Sequence, residues 1–271
     1  MIFQSLMTKK QTSSRAMFPT TAKEVSHLMT SNKALCAISF AYEFQSFEEN
    51  FETLSQYILQ APKNAIVLAP ELCLSGYSYA NMEESALFSQ RVIPKLQALS
   101  HDKTIGLTLV EKNENGFFNN FKLFSHGEII QTRAKAKLFT LGDENQYFND
   151  GNIEDIAIIE VAGIKIATLI CFEMRFSELW QQIRGADVIL IPAFWGRLRK
   201  EHFETLTKAL AIANQAYVIC ANSCGEDMAG GSGIISPFGN EKREDTSGLI
   251  SQVFDAQEIK KMRRYIDIGL C

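Results

Sequence analysis

Apolar positions divide the chain, from Lys33 onward, into alternating strands and helices. Short continuous apolar runs are typical of buried strands, whereas apolar residues that recur at helical spacing are typical of amphipathic helices. The first pattern predicts strands at LCAISFAYE, NAIVLAPE, KTIGLTLVEK, DVILIPAF, YVICANS and near LISQVFD. The second pattern predicts helices at FEENFETLSQYILQ, SALFSQRVIPKLQALSHD, SELWQQIRG and HFETLTKALAIANQA.

Two further segments are predicted to be paired strands. FFNNFKLFSHGEIIQTRAK is typical of a hairpin that turns at His126–Gly127, and IAIIEVAGIKIATLICFE of two strands around Ala162–Gly163. Strands and helices alternate through most of the chain, without a linker or a short repeat. This alternation predicts one α/β domain with helices on both sheet faces. In such folds the functional residues gather at the carboxyl ends of strands.

The first 32 residues differ in composition from the rest of the chain. Residues 1–32 are rich in Ser, Thr, Lys and Met and lack sustained periodicity, which predicts an extension outside the core of a domain spanning residues 33–271. The chain is 46% hydrophobic over 271 residues, enough apolar material for one large core. The N-terminus has no apolar core of signal-peptide length, which favours a cytoplasmic protein.

Charge and cysteine content exclude several classes of protein. With a formal net charge of −4 and 21% charged residues, the surface offers no general attraction to nucleic acid or anionic membranes. No apolar run is long enough to span a membrane. The six cysteines are too sparse for a secreted disulfide scaffold, which favours a reducing cytoplasm. Cys220 and Cys224 have no second Cys or His pair at ligand spacing, so a zinc site is not favoured.

Three polar residues stand where predicted buried strands end. Glu71 ends IVLAPE, Cys171 ends KIATLIC, and Lys135 lies in TRAKAKLF just past the hairpin. A thiol is a good nucleophile only as the thiolate, and a neighbouring carboxylate can take its proton and later activate water. An ammonium group can stabilise the oxyanion of a tetrahedral intermediate. Together these groups suit attack on an amide carbonyl or a nitrile carbon, expulsion of ammonia and hydrolysis of a thioester.

Each of these residues alone also has an ordinary structural interpretation. Glu71 could cap a helix or turn, Lys135 could be a solvated charge, and Cys171 could be a core residue. Their spacing does not decide the matter, because the fold sets the gaps between them.

Three motifs in the right order resemble the signatures of the nitrilase superfamily. LAPELCLSGY is similar to the first signature, KAKLF followed by DENQYFNDG to the second, and LICFEMRFSELW to the third, the nucleophile turn. The resemblance extends from about Lys33 to Phe254. It implies a four-layer α-β-β-α sandwich, a homodimer or higher homo-oligomer, no metal and no organic cofactor.

The resemblance also implies a role for each motif residue. Glu71 is the general base, Lys135 the stabiliser of the oxyanion and Cys171 the nucleophile. Glu144 matches a fourth acid that orients the lysine and the substrate. The backbone N–H of Phe172, which follows the nucleophile, is the second oxyanion donor.

The stretch PAFWGRLRKEHFETL, followed by IANQAYV, resembles the omega-amidase branch of this superfamily. That branch hydrolyses the terminal amide of small dicarboxylic acid monoamides such as 2-oxoglutaramate. Trp195 belongs to this motif, and Arg175 and Arg197 are candidates to bind the free carboxylate. For Arg197 a solvated loop is an equal alternative. True nitrilases usually carry Trp after the nucleophile, so Phe172 argues against nitrile hydrolysis.

Several positions depart from the family pattern. Lys137 stands where the family usually has His, Glu173 where it usually has Asp, and Leu210 and Ala213 where it has an Arg and an acid. The last two changes are expected to reshape a pocket wall or to be neutral, since both partners are lost together. The chain also stops soon after its last predicted strand, so the family's C-terminal arm is expected to be short.

Other functions remain open at this stage. The main expectation is an amidase, and the alternatives within the superfamily are a hydrolase of N-carbamoyl amines and a nitrilase. A non-catalytic dimeric binding protein is a third class, against which the intact Glu-Lys-Cys set argues. A papain-like protease would need a histidine that contacts Cys171, and His202 is the candidate.

Overall fold

The computed structural model describes residues 33–41 and 46–270, and residues 1–32, predicted to be an extension, lie outside the described residues. The described strands are β1 (Ala34–Ser39), β2 (Ile66–Leu68), β3 (Thr104–Asn113), β4 (Gly116–Ser125), β5 (Glu128–Ala134), β6 (Ile159–Val161), β7 (Ile164–Thr168), β8 (Val188–Pro192), β9 (Tyr217–Ala221), β10 (Ser232–Ile235), β11 (Glu241–Glu244) and β12 (Gly248–Val253). They form two six-stranded sheets, ordered β12-β1-β2-β3-β4-β5 and β11-β10-β9-β8-β7-β6.

The described residues also form six α-helices. They are α1 (Phe47–Gln60), α2 (Met82–Leu99), α3 (Glu144–Tyr147), α4 (Ser177–Gln182), α5 (Lys200–Asn214) and α6 (Ala256–Tyr265). Short 3₁₀ helices occupy Tyr79–Asn81, Thr140–Gly142, Ile153–Asp155, Cys171–Arg175 and Arg197–Arg199. No helix within the described residues is long and apolar enough to cross a membrane.

The two faces of each sheet are buried against different layers, because successive side chains of a strand point to opposite faces. Leu35 and Ala37 of β1 belong to the core that joins the two sheets, whereas Cys36 and Ile38 pack with α1 and α2. Helix α5 packs against β9 and β10 of the second sheet. The four-layer α-β-β-α sandwich that the resemblance implies is thereby confirmed.

Elements set by local signals match the prediction closely. Helix α1 covers the predicted segment, and it begins with a capping box in which Ser46 Oγ accepts the backbone N–H of Glu49 at 3.2 Å. The predicted hairpin pairs β4 with β5, and its turn residues His126 and Gly127 have φ of 53° and 81°. A two-residue hairpin turn with both φ positive matches the twist of the flanking strands.

The sequence did not predict β11 or α6. Strand β11 is the charged segment Glu241–Glu244 and pairs with β10 at the edge of its sheet, so it has no apolar alternation to detect. Helix α6 buries only Ile259 and Met262, and it begins after Asp255, whose side chain accepts the N–H of Gln257. The expectation that the chain stops soon after its last strand therefore overlooked a helix.

The carboxyl ends of the central strands meet at one end of the sandwich. Strands β1, β2 and β3 are parallel in one sheet, and β7, β8 and β9 are parallel in the other. The backbone N–H of Glu71, just beyond β2, donates to the carbonyl of Ala193, just beyond β8, at 3.2 Å. The segments that follow β2, β5 and β7 are therefore brought together.

Candidate active site

Four ionisable side chains meet where these strands end. Lys135 Nζ lies 2.8 Å from Glu71 Oε1 and 2.7 Å from Glu144 Oε1. Glu71 and Lys135 have 0% exposure, and Cys171 has 7%. The thiol of Cys171 lies within the electrostatic influence of Glu71, Lys135 and Glu144. The structure thus groups all four residues that the motifs single out.

The backbone holds these side chains in place. Cys171 has φ of 49° and stands at a sharp turn between β7 and the 3₁₀ helix Cys171–Arg175. Positive φ is strained for a residue with a side chain, and it persists only where the surroundings enforce it. The backbone of Lys135 is fixed on both sides, since its N–H donates to Asn119 at 2.9 Å and its carbonyl accepts from Gly151 at 2.8 Å.

The proton on the thiol is controlled by burial and by Glu71. Burial, followed by the negative charge of Glu71, raises the pKa of Cys171 well above its usual value. Burial also raises the pKa of Glu71, with Glu144 adding to the effect and Lys135 opposing it. Cys171 is therefore a thiol at rest, and Glu71 is the adjacent carboxylate that can accept its proton.

Lys135 is kept charged by its anionic neighbours. Burial alone lowers the pKa of Lys135, but the charges of Glu71, Cys171 and Glu144 outweigh burial and raise the pKa above its ordinary value. A permanently charged ammonium beside the thiol is suited to stabilise an oxyanion that develops during attack on a carbonyl.

Two polar residues that the sequence did not indicate complete this network. The hydroxyl of Tyr77 donates to Glu144 Oε1 at 2.7 Å, and the amide of Asn119 donates to Glu71 Oε1 at 2.8 Å. Burial and the nearby charge of Glu71 raise the pKa of Tyr77 well above its usual value, so it remains a donor. Tyr77 lies in the Gly-Tyr turn of the first motif, which was the available signal. Asn119, a buried residue of β4, gave no signal in the sequence.

Glu144 connects the lysine to the loop before it. Its Oε1 accepts from Lys135 and Tyr77, while its Oε2 accepts the backbone N–H of Phe139 at 3.0 Å. Glu144 begins the one-turn helix α3, directly after Asp143 in the left-handed conformation. This geometry fits a carboxylate that orients Lys135.

A cavity of about 260 Å³ opens beside Cys171, and a smaller one adjoins it. Four aromatic rings contribute to the wall of each cavity. The wall of the larger cavity includes Tyr77, Tyr79, Phe139, Phe194, Gly196, Arg199 and Met228, and that of the smaller includes Phe172, Arg175 and Trp195. A site of this kind suits a small molecule whose polar ends are fixed by a few charged groups.

The residues predicted to bind substrate separate into two groups. Arg175 and Trp195 line the smaller cavity, with the guanidinium carbon of Arg175 4.6 Å from the Trp195 ring centroid. Arg197 does not line either cavity and is exposed. Arg199 lines both, with its guanidinium carbon 5.2 Å from the Phe139 ring centroid. In a 3₁₀ helix residues two apart lie on different faces, so only Arg199 of this pair lines the cavities beside Cys171.

His202 and the positions that depart from the family pattern have other roles in the structure. His202 Nδ1 lies 3.1 Å from Arg175 Nη2, so its contact is with this arginine and not with the thiol, as a papain-like protease would require. Lys137 Nζ lies 5.0 Å from the Phe176 ring centroid. Leu210 is buried in the core and Ala213 is exposed, and neither contributes to the cavity walls. These two changes therefore do not reshape the pocket.

The described residues contain no group of three or more His, Cys, Asp and Glu side chains that could hold a metal ion. Cys220, considered for a zinc site, is buried and accepts a hydrogen bond from Arg243 Nη1 at 3.3 Å.

Comparison with known proteins gives consistent results. The family model for Carbon-nitrogen hydrolase matches residues 34–264. A 2-oxoglutaramate amidase of Bacillus subtilis (strain 168) is 32% identical over 248 residues, covering 86% of this chain and 95% of the relative. The omega-amidase YafV of Yersinia enterocolitica is 28% identical over 223 residues, covering 80% and 85%. A solved CN-hydrolase superfamily protein of Xanthomonas campestris matches with a TM-score of 0.77 and 19% identity, covering 88% of this chain and 96% of that chain.

Proposed function

Since the chain belongs to the carbon–nitrogen hydrolase family and is an amidase acting on bonds other than peptide bonds, we propose that its substrates are small dicarboxylic acid monoamides. The observation that carries this proposal is a pair of arginines, Arg175 and Arg199, in the cavity walls beside Cys171. Among residues 33–41 and 46–270, no carboxylate lies within 4.0 Å of either guanidinium group.

The two guanidinium groups are close enough to affect each other. Burial, and next the positive charge of Arg199, lowers the pKa of Arg175. Each guanidinium lies over an aromatic ring, which limits its orientations. Two adjacent cations without an anion favour a ligand that supplies one, and a substrate carboxylate pairs with arginine through two parallel hydrogen bonds. The scissile amide at the other end of the substrate would then face the thiol.

The proposed reaction proceeds through a thioester. Glu71 takes the proton of the Cys171 thiol, and the sulfur attacks the amide carbonyl carbon. Lys135 and the backbone N–H of Phe172 stabilise the oxyanion. The intermediate collapses as Glu71 returns the proton to the leaving nitrogen and ammonia departs. Glu71 then accepts a proton from water, whose oxygen attacks the thioester carbonyl carbon. The carbon–sulfur bond breaks, the carboxylic acid is released, and Glu71 returns the proton to the sulfur of Cys171.

The relatives support this substrate class. One is named 2-oxoglutaramate amidase and another omega-amidase, and each match covers most of both chains. We therefore expect 2-oxoglutaramate or a close analogue to be accepted. Phe172 in place of the tryptophan typical of nitrilases makes a nitrile substrate less favourable.

Assembly and location belong to the same proposal. The five cysteines within the described residues are all free, which fits a reducing cytoplasm. We expect a homodimer that pairs across the helices next to the nucleophile turn, α4 and α5, as the family resemblance implies.

The test compares one monoamide with its methyl ester. A carboxylate bound by arginine should gain about 1.5–3 kcal/mol over the neutral compound, which corresponds to a preference of roughly 10- to 100-fold in kcat/KM. Arg175→Ala and Arg199→Ala should each reduce this preference, whereas Arg197→Ala, as the matched control, should leave it unchanged. Equal kcat/KM for the acid and the ester in the unaltered protein would refute the proposed substrate class.

A further inference from the structure

A second buried ion pair, separate from the catalytic network, joins β5 to the nucleophile turn. Arg133 Nη1 lies 2.9 Å from Glu173 Oε1, and Arg133 Nη2 lies 2.6 Å from Glu173 Oε2. The exposures of the two side chains are 1% and 0%. Both partners point away from solvent, so this contact is not an incidental surface pair. Neither residue lines the cavity beside Cys171.

The same carboxylate also binds the backbone on both sides of the site. Glu173 Oε1 accepts the N–H of Ala136, the residue after Lys135, at 2.7 Å. Glu173 Oε2 accepts the N–H of Ile170, the residue before Cys171, at 2.6 Å. A single side chain therefore contacts the immediate neighbours of the lysine and of the nucleophile.

Arg133 adds a third attachment at the end of β7. Its Nη2 donates to the carbonyl of Thr168 at 2.8 Å, and its Nη1 contacts the carbonyl of Ala134 at 3.2 Å. Arg133 lies within β5 and its side chain pairs with Glu173, whereas Lys135 lies just past the end of β5 and pairs with Glu71 and Glu144. Arg133 therefore holds the turn that contains Cys171, while Lys135 belongs to the proposed catalytic network.

We propose that Glu173, held by Arg133, is a positioning residue that fixes the Cys171 thiol relative to the Lys135 ammonium. It acts through the backbone and touches neither substrate nor reacting atoms. The strained φ of Cys171 needs such an anchor, because nothing in its own side chain favours the left-handed conformation. This inference rests on the proposed roles of Cys171 and Lys135.

The shape of the carboxylate matters as much as its charge. Glu173 accepts four short hydrogen bonds, two on each oxygen. A glutamine in its place keeps the size but presents an NH₂ group to donors on one side. A lysine in place of Arg133 keeps the charge but cannot donate to both oxygens in one plane. Both substitutions should therefore shift the backbone beside Cys171 and Lys135 while altering the side-chain volume little.

The experiment uses Glu173→Gln, Glu173→Asp and Arg133→Lys in the full chain. The matched control is Lys122→Met, which breaks the pair between the buried Lys122 and the partly exposed Glu111 at 3.0 Å, away from the cavity. Each variant is assayed for thermal unfolding, for kcat and KM with a monoamide, and for the rate at which iodoacetamide alkylates Cys171, measured by mass spectrometry of its peptide.

A positioning role predicts that Glu173→Gln lowers kcat by about 10²-fold, the cost of a small misplacement of reacting groups, with KM little changed. The alkylation rate of Cys171 should change in the same variant. Arg133→Lys should have a smaller effect, and Glu173→Asp, which retains a carboxylate, should recover part of the loss. Lys122→Met should lower the melting temperature alone.

A Glu173→Gln protein with unchanged kcat and alkylation rate but a lower melting temperature would overturn the inference. If Glu173→Gln does not fold, the kcat, alkylation rate and melting temperature of Glu173→Asp and Arg133→Lys test the inference by the same criteria. If the unaltered protein does not turn over any monoamide, the proposed substrate class fails, while the alkylation comparison still tests the positioning of Cys171.

Discussion

Lys135 Nζ lies 2.8 Å from Glu71 Oε1 with both side chains fully buried, so the proposed base and the proposed oxyanion cation form one ion pair. Lys135 lowers the pKa of Glu71, while burial and Glu144 raise it more. The carboxylate of Glu71 is thereby a stronger base than a solvated carboxylate. In the proposed reaction the same pair therefore supplies both the proton acceptor and the positive charge.

The two lysines of KAKLF are expected to differ sharply in importance. Lys135→Ala should lower kcat by about 10²–10³, the cost of one oxyanion donor. Lys137→Ala should cost far less, since Lys137 is only partly buried and contacts the Phe176 ring. Steady-state kinetics of both variants, with circular dichroism to verify folding, make the comparison. A dead Lys137→Ala beside an active Lys135→Ala would show that the assignment of this motif is wrong.

Replacing the proposed nucleophile should remove activity without unfolding the protein. Cys171→Ala deletes one sulfur at a buried turn and is expected to abolish ammonia release, with a circular dichroism spectrum like that of the unaltered protein. Cys73→Ala is the matched control, because burial raises the pKa of Cys73 to about 12 and keeps it an unreactive thiol. Substantial turnover by Cys171→Ala would place the nucleophile elsewhere.

As the pH is lowered, activity is expected to be lost at a higher pH than it would be if the base were a solvated glutamate. The pKa of Glu71 is raised, so its carboxylate is protonated, and lost as a base, at a pH above the usual range for this side chain. The profile of kcat/KM against pH should therefore rise with pH through that raised pKa. Glu71→Gln should show very low activity and no such acid limb. An acid limb at the pKa of a solvated glutamate would contradict this expectation.

Tyr77 is expected to contribute to catalysis through Glu144. Tyr77→Phe removes the hydroxyl that donates to Glu144 Oε1 at 2.7 Å, while the ring can still pack against Phe148 and Phe194. A hydrogen bond to a charged group contributes about 1.5–3 kcal/mol, so kcat should fall by roughly tenfold or more. Tyr57→Phe, which removes a hydroxyl bound to Ser247 at the surface, is the control. Equal kcat for the two variants would exclude this role.

The sequence predicted those parts of the fold that depend on local signals. The capping box and apolar spacing of α1 lie within the helix itself, and the His126–Gly127 turn needs only its two residues. Helix α6 escaped prediction because it buries only two apolar side chains and is held by contacts with the distant residues Tyr217 and Ala186. The order of the three motifs indicated Glu71, Lys135 and Cys171, whose grouping in space is seen only in the structure.

The parts of the site that were missed depend on contacts between distant segments. Arg133 and Glu173 are 40 positions apart, and Asn119 reaches Glu71 across 48 positions. Nothing in the neighbourhood of Arg133 distinguishes it from a solvated arginine. Arg199 was passed over in favour of Arg197 because the helical turn that selects between them cannot be inferred from a basic loop sequence.

The hydrogen bond from Glu71 to Ala193 links segments from different sheets. Glu71 and Lys135 follow strands of one sheet and Cys171 follows a strand of the other, so sliding of the sheets would separate the carboxylate from the thiol. The proposed chemistry therefore depends on the whole sandwich and is not expected to survive in either half alone. In increasing denaturant, loss of turnover and loss of helical signal are expected to coincide as one cooperative transition.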